Sequence, residues 1–283
     1  MPCDIPSLLT ALFVFVGNTL LVIYYAIEKN REHWDQEAYA QLNPDFLMLD
    51  WDWRRQNRPL EVAGKMITAV SWVFMTAPIM QIAVVQSLGG DRQLWLHVAI
   101  VTIALGAAIT EVTAQLMHMG AFNAADWVSV EFELDNWMTT ESGDKVGWQS
   151  LEVSYRETVG LTLWVDSLEY LALTLMFLLI FWSVNSMGNM PQSIGMPMAG
   201  FAFFIGILSL ADFIAYVVRF KFWETASLIG RIISVLNRVI FLPMFFLALS
   251  CRLPYATQAH EQDETAKHNG EAMPAEGHER HLD

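Results

Sequence analysis

The stretch Glu157–Trp182, ETVGLTLWVDSLEYLALTLMFLLIFW, decides the fold. It can cross a bilayer, since about 20 apolar residues at 1.5 Å each span the roughly 30 Å hydrocarbon core. Yet Asp166 and Glu169 stand near its middle. A carboxylate facing lipid costs at least about 2.5–3.5 kcal/mol. Acids three residues apart share one face of a helix. Both must therefore look into a protein interior or a wet cavity, where they are paired, protonated or metal-bound.

Outward from this stretch, further apolar windows recur. The 283 residues are 54% hydrophobic and only 16% charged, well below the roughly 25% charge of soluble domains. Only helices and closed barrels satisfy every backbone group in lipid, and these windows are far longer than the 9–11 residues of a barrel strand. The expected fold is an all-α membrane protein: a six-span transmembrane helical bundle with two long interfacial loops. The membrane domain is read as residues 1–255, with spans at about 7–27, 66–88, 94–118, 157–182, 198–220 and 228–251. Residues 256–283 are read as a disordered acidic tail: His260, His268, His278 and His281 occur there at irregular spacing, with no apolar face. No cleavable leader is expected, because MPCDIPS begins with an acid rather than a basic region.

The two long loops are expected over Glu28–Lys65 and Gly120–Arg156. Their tryptophans, Trp34, Trp51, Trp53, Trp127, Trp137 and Trp148, suit interfacial anchoring, or the walls of a vestibule. Positive residues cluster on the same side: Lys29, Arg31, Arg54, Arg55, Arg58, Lys65, Lys145, Arg156, Arg219 and Lys221. The positive-inside rule then makes these loops cytoplasmic and both termini extracellular or lumenal.

The net charge of −14 argues against a nucleic-acid partner, which needs a basic patch. Two cysteines make no disulfide framework or cysteine-rich metal site. There is no phosphate loop, GxSxG, HExxH or CxxC. Haem would want histidines on facing helices, but His97 and His118 share one span. No lysine sits mid-span for a Schiff base. No inverted repeat of three plus three spans is visible.

Four spans carry polar stripes. In the third, Ala104, Ala108, Glu111, Gln115 and His118 fall on one face. In the fourth, Thr162, Asp166 and Glu169 do so; in the fifth, Ser209, Asp212, Tyr216 and Arg219; in the sixth, Ser227, Arg231, Ser234 and Arg238, with Asn237 beside them. The first two spans offer only Asn18, Gln81 and Gln86, and are expected to pack outside the cluster. Four deep acids thus face Arg231 and Arg238, and burial favours the neutral form of any acid left over. Asp212 is the expected partner of Arg238, because the last two spans follow a short link.

The ion or ligand path is accordingly read as Glu111, Gln115, His118, Asp166, Glu169, Asp212, Tyr216, Arg231, Asn237 and Arg238. Intramembrane ionisable groups mark ion, proton and ligand paths. The leading expectation is a transporter or channel moving an ion or small polar solute, with proton coupling through Asp166 or Glu169. The alternatives are a non-catalytic receptor or assembly subunit with structural ion pairs, and a membrane-embedded metal-dependent enzyme built on the carboxylates. No metal ligand set and no cofactor is assigned. The expected partners are the lipid bilayer and a small ion or solute, and a homo-oligomer is compatible with the chain.

Overall fold

A computed structural model describes residues 4–30, 35–87, 94–131, 144–187, 192–218 and 232–251. Every described element is helical, and no strand occurs among the described residues. The helices are α1 (Ile5–Lys29), α2 (Gln36–Ala40), α3 (Pro44–Ser87), α4 (Leu94–Glu131), α5 (Asp144–Met187), α6 (Gln192–Val218) and α7 (Ile232–Cys251). All except α2 are long and apolar enough to cross a membrane.

Local chemistry sets the helix starts. The Asp4 side chain accepts from the Ser7 N–H at 2.9 Å, and Pro6 occupies the first turn, where no N–H is needed. Asn43 does the same for α3, accepting from Asp45 at 3.0 Å and Phe46 at 3.3 Å, with Pro44 as the first helical residue. Leu42 just before it adopts φ 55°, the left-handed conformation that turns the chain into the helix.

The two expected interfacial loops are largely replaced by continued helices. The 44 residues of α3 reach about 66 Å at 1.5 Å per residue, roughly twice the hydrocarbon thickness. The first half of α3, the last turns of α4 and the first turns of α5 run on together as a three-helix extension. Its own core holds Phe46, Leu47, Trp51, Phe122, Ala125, Trp148 and Leu151. Trp51 and Trp148, read as interfacial anchors, are fully buried there, whereas Trp127 is 65% exposed. Trp34 and Trp137 lie outside the described residues, as do Arg219, Arg231 and the tail from residue 252.

The membrane half has a separate apolar core contributed by α1, α3, α4, α5, α6 and α7. α5 is the hub, packing against α3, α4 and α6 and meeting α7 through Phe177 and Phe245, whose ring centroids are 5.1 Å apart. α1 lies close against α3: a Cβ at Gly17 would sit 2.6 Å from Thr68 Oγ1, and one at Gly64 would sit 2.9 Å from Leu21 Cδ2. The Asp4 N–H donates to the Ser250 carbonyl at 2.9 Å, so the start of α1 and the end of α7 share one end of the bundle. The extension is at the other end.

Candidate functional site

Of the polar stripes, most described residues turn inward, while Asp166, Ser234 and Arg238 are half-buried and Ser227 lies outside the described residues. Ala104, Ala108, Glu111 and Gln115 of α4, Thr162 and Glu169 of α5, Ser209 and Asp212 of α6, and Asn237 of α7 are all buried. Burying each stripe removes its polar groups from lipid, the alternative that hydrocarbon penalises most.

At their meeting point, one carboxylate oxygen from each of Glu111, Asp166 and Glu169 lies within 4.8 Å of the others. Glu111 and Glu169 are wholly buried. Gln115 Nε2 donates to Glu111 Oε1 at 2.7 Å, a bond between residues one helical turn apart. Arg238 Nη2 donates to Glu169 Oε1 at 2.8 Å, and its guanidinium also lies over the Tyr170 ring at 4.4 Å. Three oxygens face no donor among the described residues: Glu111 Oε2, Asp166 Oδ1 and Glu169 Oε2.

Arg238, expected to pair with Asp212, donates its hydrogen bond to Glu169, and its charge acts on Asp212 as well. Chain proximity of the last two spans does not decide the partner; the direction in which Arg238 leaves its helix does. Residues Leu236–Phe241 form a π-helical segment, in which the Leu242 N–H reaches back to the Asn237 carbonyl. Pro243 follows, and lacking an N–H it cannot continue the ordinary ladder. The segment re-aims both residues: Arg238 toward α5, and Asn237 toward α6, where Nδ2 donates to Ser209 Oγ at 2.9 Å. Such single-turn π segments recur at functional sites. Of the other expected site residues, Arg231 and the side chain of Tyr216 lie outside the described residues.

The expectation that the first two spans pack outside the cluster is also corrected. Asn18 of α1 and Ser71 of α3 line a cavity of about 10 Å³ beside Glu169 and Arg238. That is room for about one water.

Two residues expected in a loop, or at its edge, lie buried in α3 beside His118. Glu61 and Lys65 of α3 are buried, with Lys65 Nζ 2.6 Å from Glu61 Oε1. His118 Nε2 is 3.2 Å from the same oxygen and 3.4 Å from Tyr155 Oη. A legible signal existed: Glu61 and Lys65 stand four apart, as helical ion pairs do. Lys65 also lies within electrostatic reach of Asp166, and Gln115 bonds Glu111. Beyond Glu169, Leu173, Phe177, Ile180, Phe245 and Phe246 belong with Ile79 to one buried apolar core, within which Thr174 and Ser183 are the buried polar residues of α5. His97 is buried near the far end, with Nε2 3.2 Å from Ser183 Oγ.

The extension carries a second charged cluster of different character. Arg54 bonds both oxygens of Glu152 at 3.3 Å and lies 2.7 Å from Asp50. Trp51 Nε1 donates to Glu152 Oε2 at 3.0 Å, and Arg156 Nε to Glu152 Oε1 at 2.7 Å. Arg156 also reaches the Tyr39 carbonyl at 2.9 Å and covers the Tyr39 ring at 3.7 Å. Burial pushes the Tyr39 hydroxyl above its ordinary range, against the pull of Arg54 and Arg156.

Compared with protein-family models, curated proteins and solved structures, the chain matches none.

Proposed function

We propose that the protein is a membrane carrier of small cations, protons included, and that Glu111, Asp166 and Glu169 form the place where the cargo rests. One observation carries this reading: three carboxylates from two helices converge in the middle of the bundle, while the bonded cation beside them is Arg238. Packing alone does not call for unmatched acids, because an unpaired buried charge is destabilising. A group that must be filled and emptied does. The polar approach by Glu61, His118 and Lys65 gives one half of a path. The apolar packing beyond Glu169 supports a carrier that must rearrange rather than an open channel.

On this reading the extension faces the cytoplasm, following the positive residues gathered there, and the termini face outside. The partners it requires are the bilayer and the ion. An assembly or receptor role is the second reading. It is favoured by Trp127 and Val130 of the extension, 65% and 63% exposed on a segment longer than the bilayer needs.

Reconstitution into vesicles with a trapped pH dye or cation indicator tests the proposal. Imposed ion gradients should dissipate through the wild type, and Glu169→Gln and Asp166→Asn should reduce that flux to background while the proteins remain folded. No flux in the wild type, or flux unchanged in both variants, overturns it and leaves the assembly role.

A further inference from the structure

We infer that the Glu111–Asp166–Glu169 cluster is a binding site for one hard divalent cation, such as Mg²⁺, Mn²⁺ or Ca²⁺. The inference rests on the proposed carrier function only in naming its cargo; as a binding site it stands by itself.

The first support is charge. The charged groups around the cluster are Glu111 of α4, Asp166 and Glu169 of α5, Asp212 of α6, Arg238 of α7, and Glu61 with Lys65 of α3. Lys65 and Glu61 are bonded to each other and cancel. Arg238 offsets one acid of the cluster. A deficit of two positive charges remains on the three carboxylates alone, and a single divalent ion matches it.

The second is donor geometry. The ligand atoms lie within 4.8 Å of one another. Oxygens on opposite sides of a Ca²⁺ ion are about 4.6–5.2 Å apart, and of Mg²⁺ about 4.0–4.2 Å, at twice their usual bond lengths. Three oxygens spread evenly around one ion stand about 1.7 bond lengths apart, roughly 4.0–4.5 Å for Ca²⁺ and 3.5–3.6 Å for Mg²⁺, so the carboxylates close in by up to about 1 Å when an ion binds, least for Ca²⁺. The donors are all oxygen, the ligand type that suits Mg²⁺, Ca²⁺ and Mn²⁺.

The third is the way the two buried glutamates are held. The fully buried Glu111 side chain has Oε1 tied to Gln115, yet its Oε2 is buried without a donor. Glu169 repeats the pattern, with Oε1 held by Arg238 and Oε2 left over. In each case one oxygen is held by a donor that orients the carboxylate, while the two acids also lie within hydrogen-bond reach of each other, so that their second oxygens converge, as ligands oriented by outer partners do around a metal. The water-sized cavity at Glu169 and Arg238 leaves room for one water beside the site.

Two protons could supply the same two charges, so the test must separate protons from metal. Full-length protein in nanodiscs, freed of metal, would be titrated with Mn²⁺ and the free ion followed by its magnetic resonance signal at constant pH. The wild type should take up one Mn²⁺ more tightly than Glu111→Gln or Asp166→Asn by at least ~10-fold, since even outer-shell changes cost that much. Mg²⁺ or Ca²⁺ should displace it, and Mn²⁺ should raise the Tm of the wild type but of neither variant. Asp126→Asn, in the extension, should behave as wild type; the tail is common to all four proteins and cancels from the comparison. Equal uptake by wild type and both variants, or none by the wild type, overturns the site. Proton flux in metal-free vesicles without Mn²⁺ uptake removes this inference and leaves the carrier. Mn²⁺ uptake without any flux keeps the site and removes the carrier.

Discussion

The two charged clusters of this molecule share the same residue types and differ in their bookkeeping. In the extension, Asp50 and Glu152 meet Arg54 and Arg156, acid for base, and both oxygens of Glu152 accept bonds. In the membrane half, Glu111, Asp166 and Glu169 meet Arg238, and one oxygen of each acid faces no donor among the described residues. Desolvated charge is tolerated in the first because it is neutralised locally, and such an arrangement holds helices in register. The second is in deficit by design of its position, since hydrocarbon offers no counter-ion and no water. The difference separates a cluster whose charges are matched within the fold from one whose acids outnumber the arginine bonded to them, the property on which the proposed cation site rests.

Breaking the matched cluster should have the largest effect. Glu152→Ala strands Arg54, Arg156 and the Trp51 indole together, and should lower stability by about 3–5 kcal/mol, the usual cost of breaking a buried pair. Denaturant or thermal unfolding in detergent checks it. A loss no larger than that of an exposed control such as Glu37→Ala would show that the extension does not depend on its charges.

The next test divides the membrane cluster. Arg238→Met should destabilise by about 2–4 kcal/mol, because it leaves Glu169 without its donor. Adding Glu169→Gln should restore most of the loss, whereas adding Asp212→Asn should restore much less. Equal rescue by the two would mean that Arg238 serves both acids alike.

A smaller effect sharpens the same contrast. If the carboxylates are in deficit, Asp166→Asn relieves repulsion and should leave stability unchanged or raise it by about 1 kcal/mol, while an acid of the matched cluster cannot be removed without cost. A clear drop in Tm for Asp166→Asn would place that residue among the structural charges. As an uncharged reference, Gly17→Ala should cost about 1–3 kcal/mol, because its Cβ would meet the Thr68 backbone nitrogen at 2.7 Å.

Much of this was legible in the chain. The six spans and the inward direction of the stripes through Glu111, Asp166, Glu169 and Asp212 follow from one local rule: a segment in hydrocarbon must be apolar, and any charge on it must face protein. That rule acts on each helix separately, so a one-dimensional pattern records it. The extension escaped because its helices are buried by one another rather than by lipid. Trp51 and Trp148 look like interfacial anchors, and Arg54 and Glu152 like charged loop residues, until the three helices are brought together. The Asn43-Pro44-Asp45 start of α3 and the Glu61–Lys65 spacing were available signals for continued helix. The partner of Arg238 was not available in any local signal. It depends on a π-helical turn before Pro243 and on which neighbour that turn faces, and pairing between distant side chains is set by where the helices stand in space.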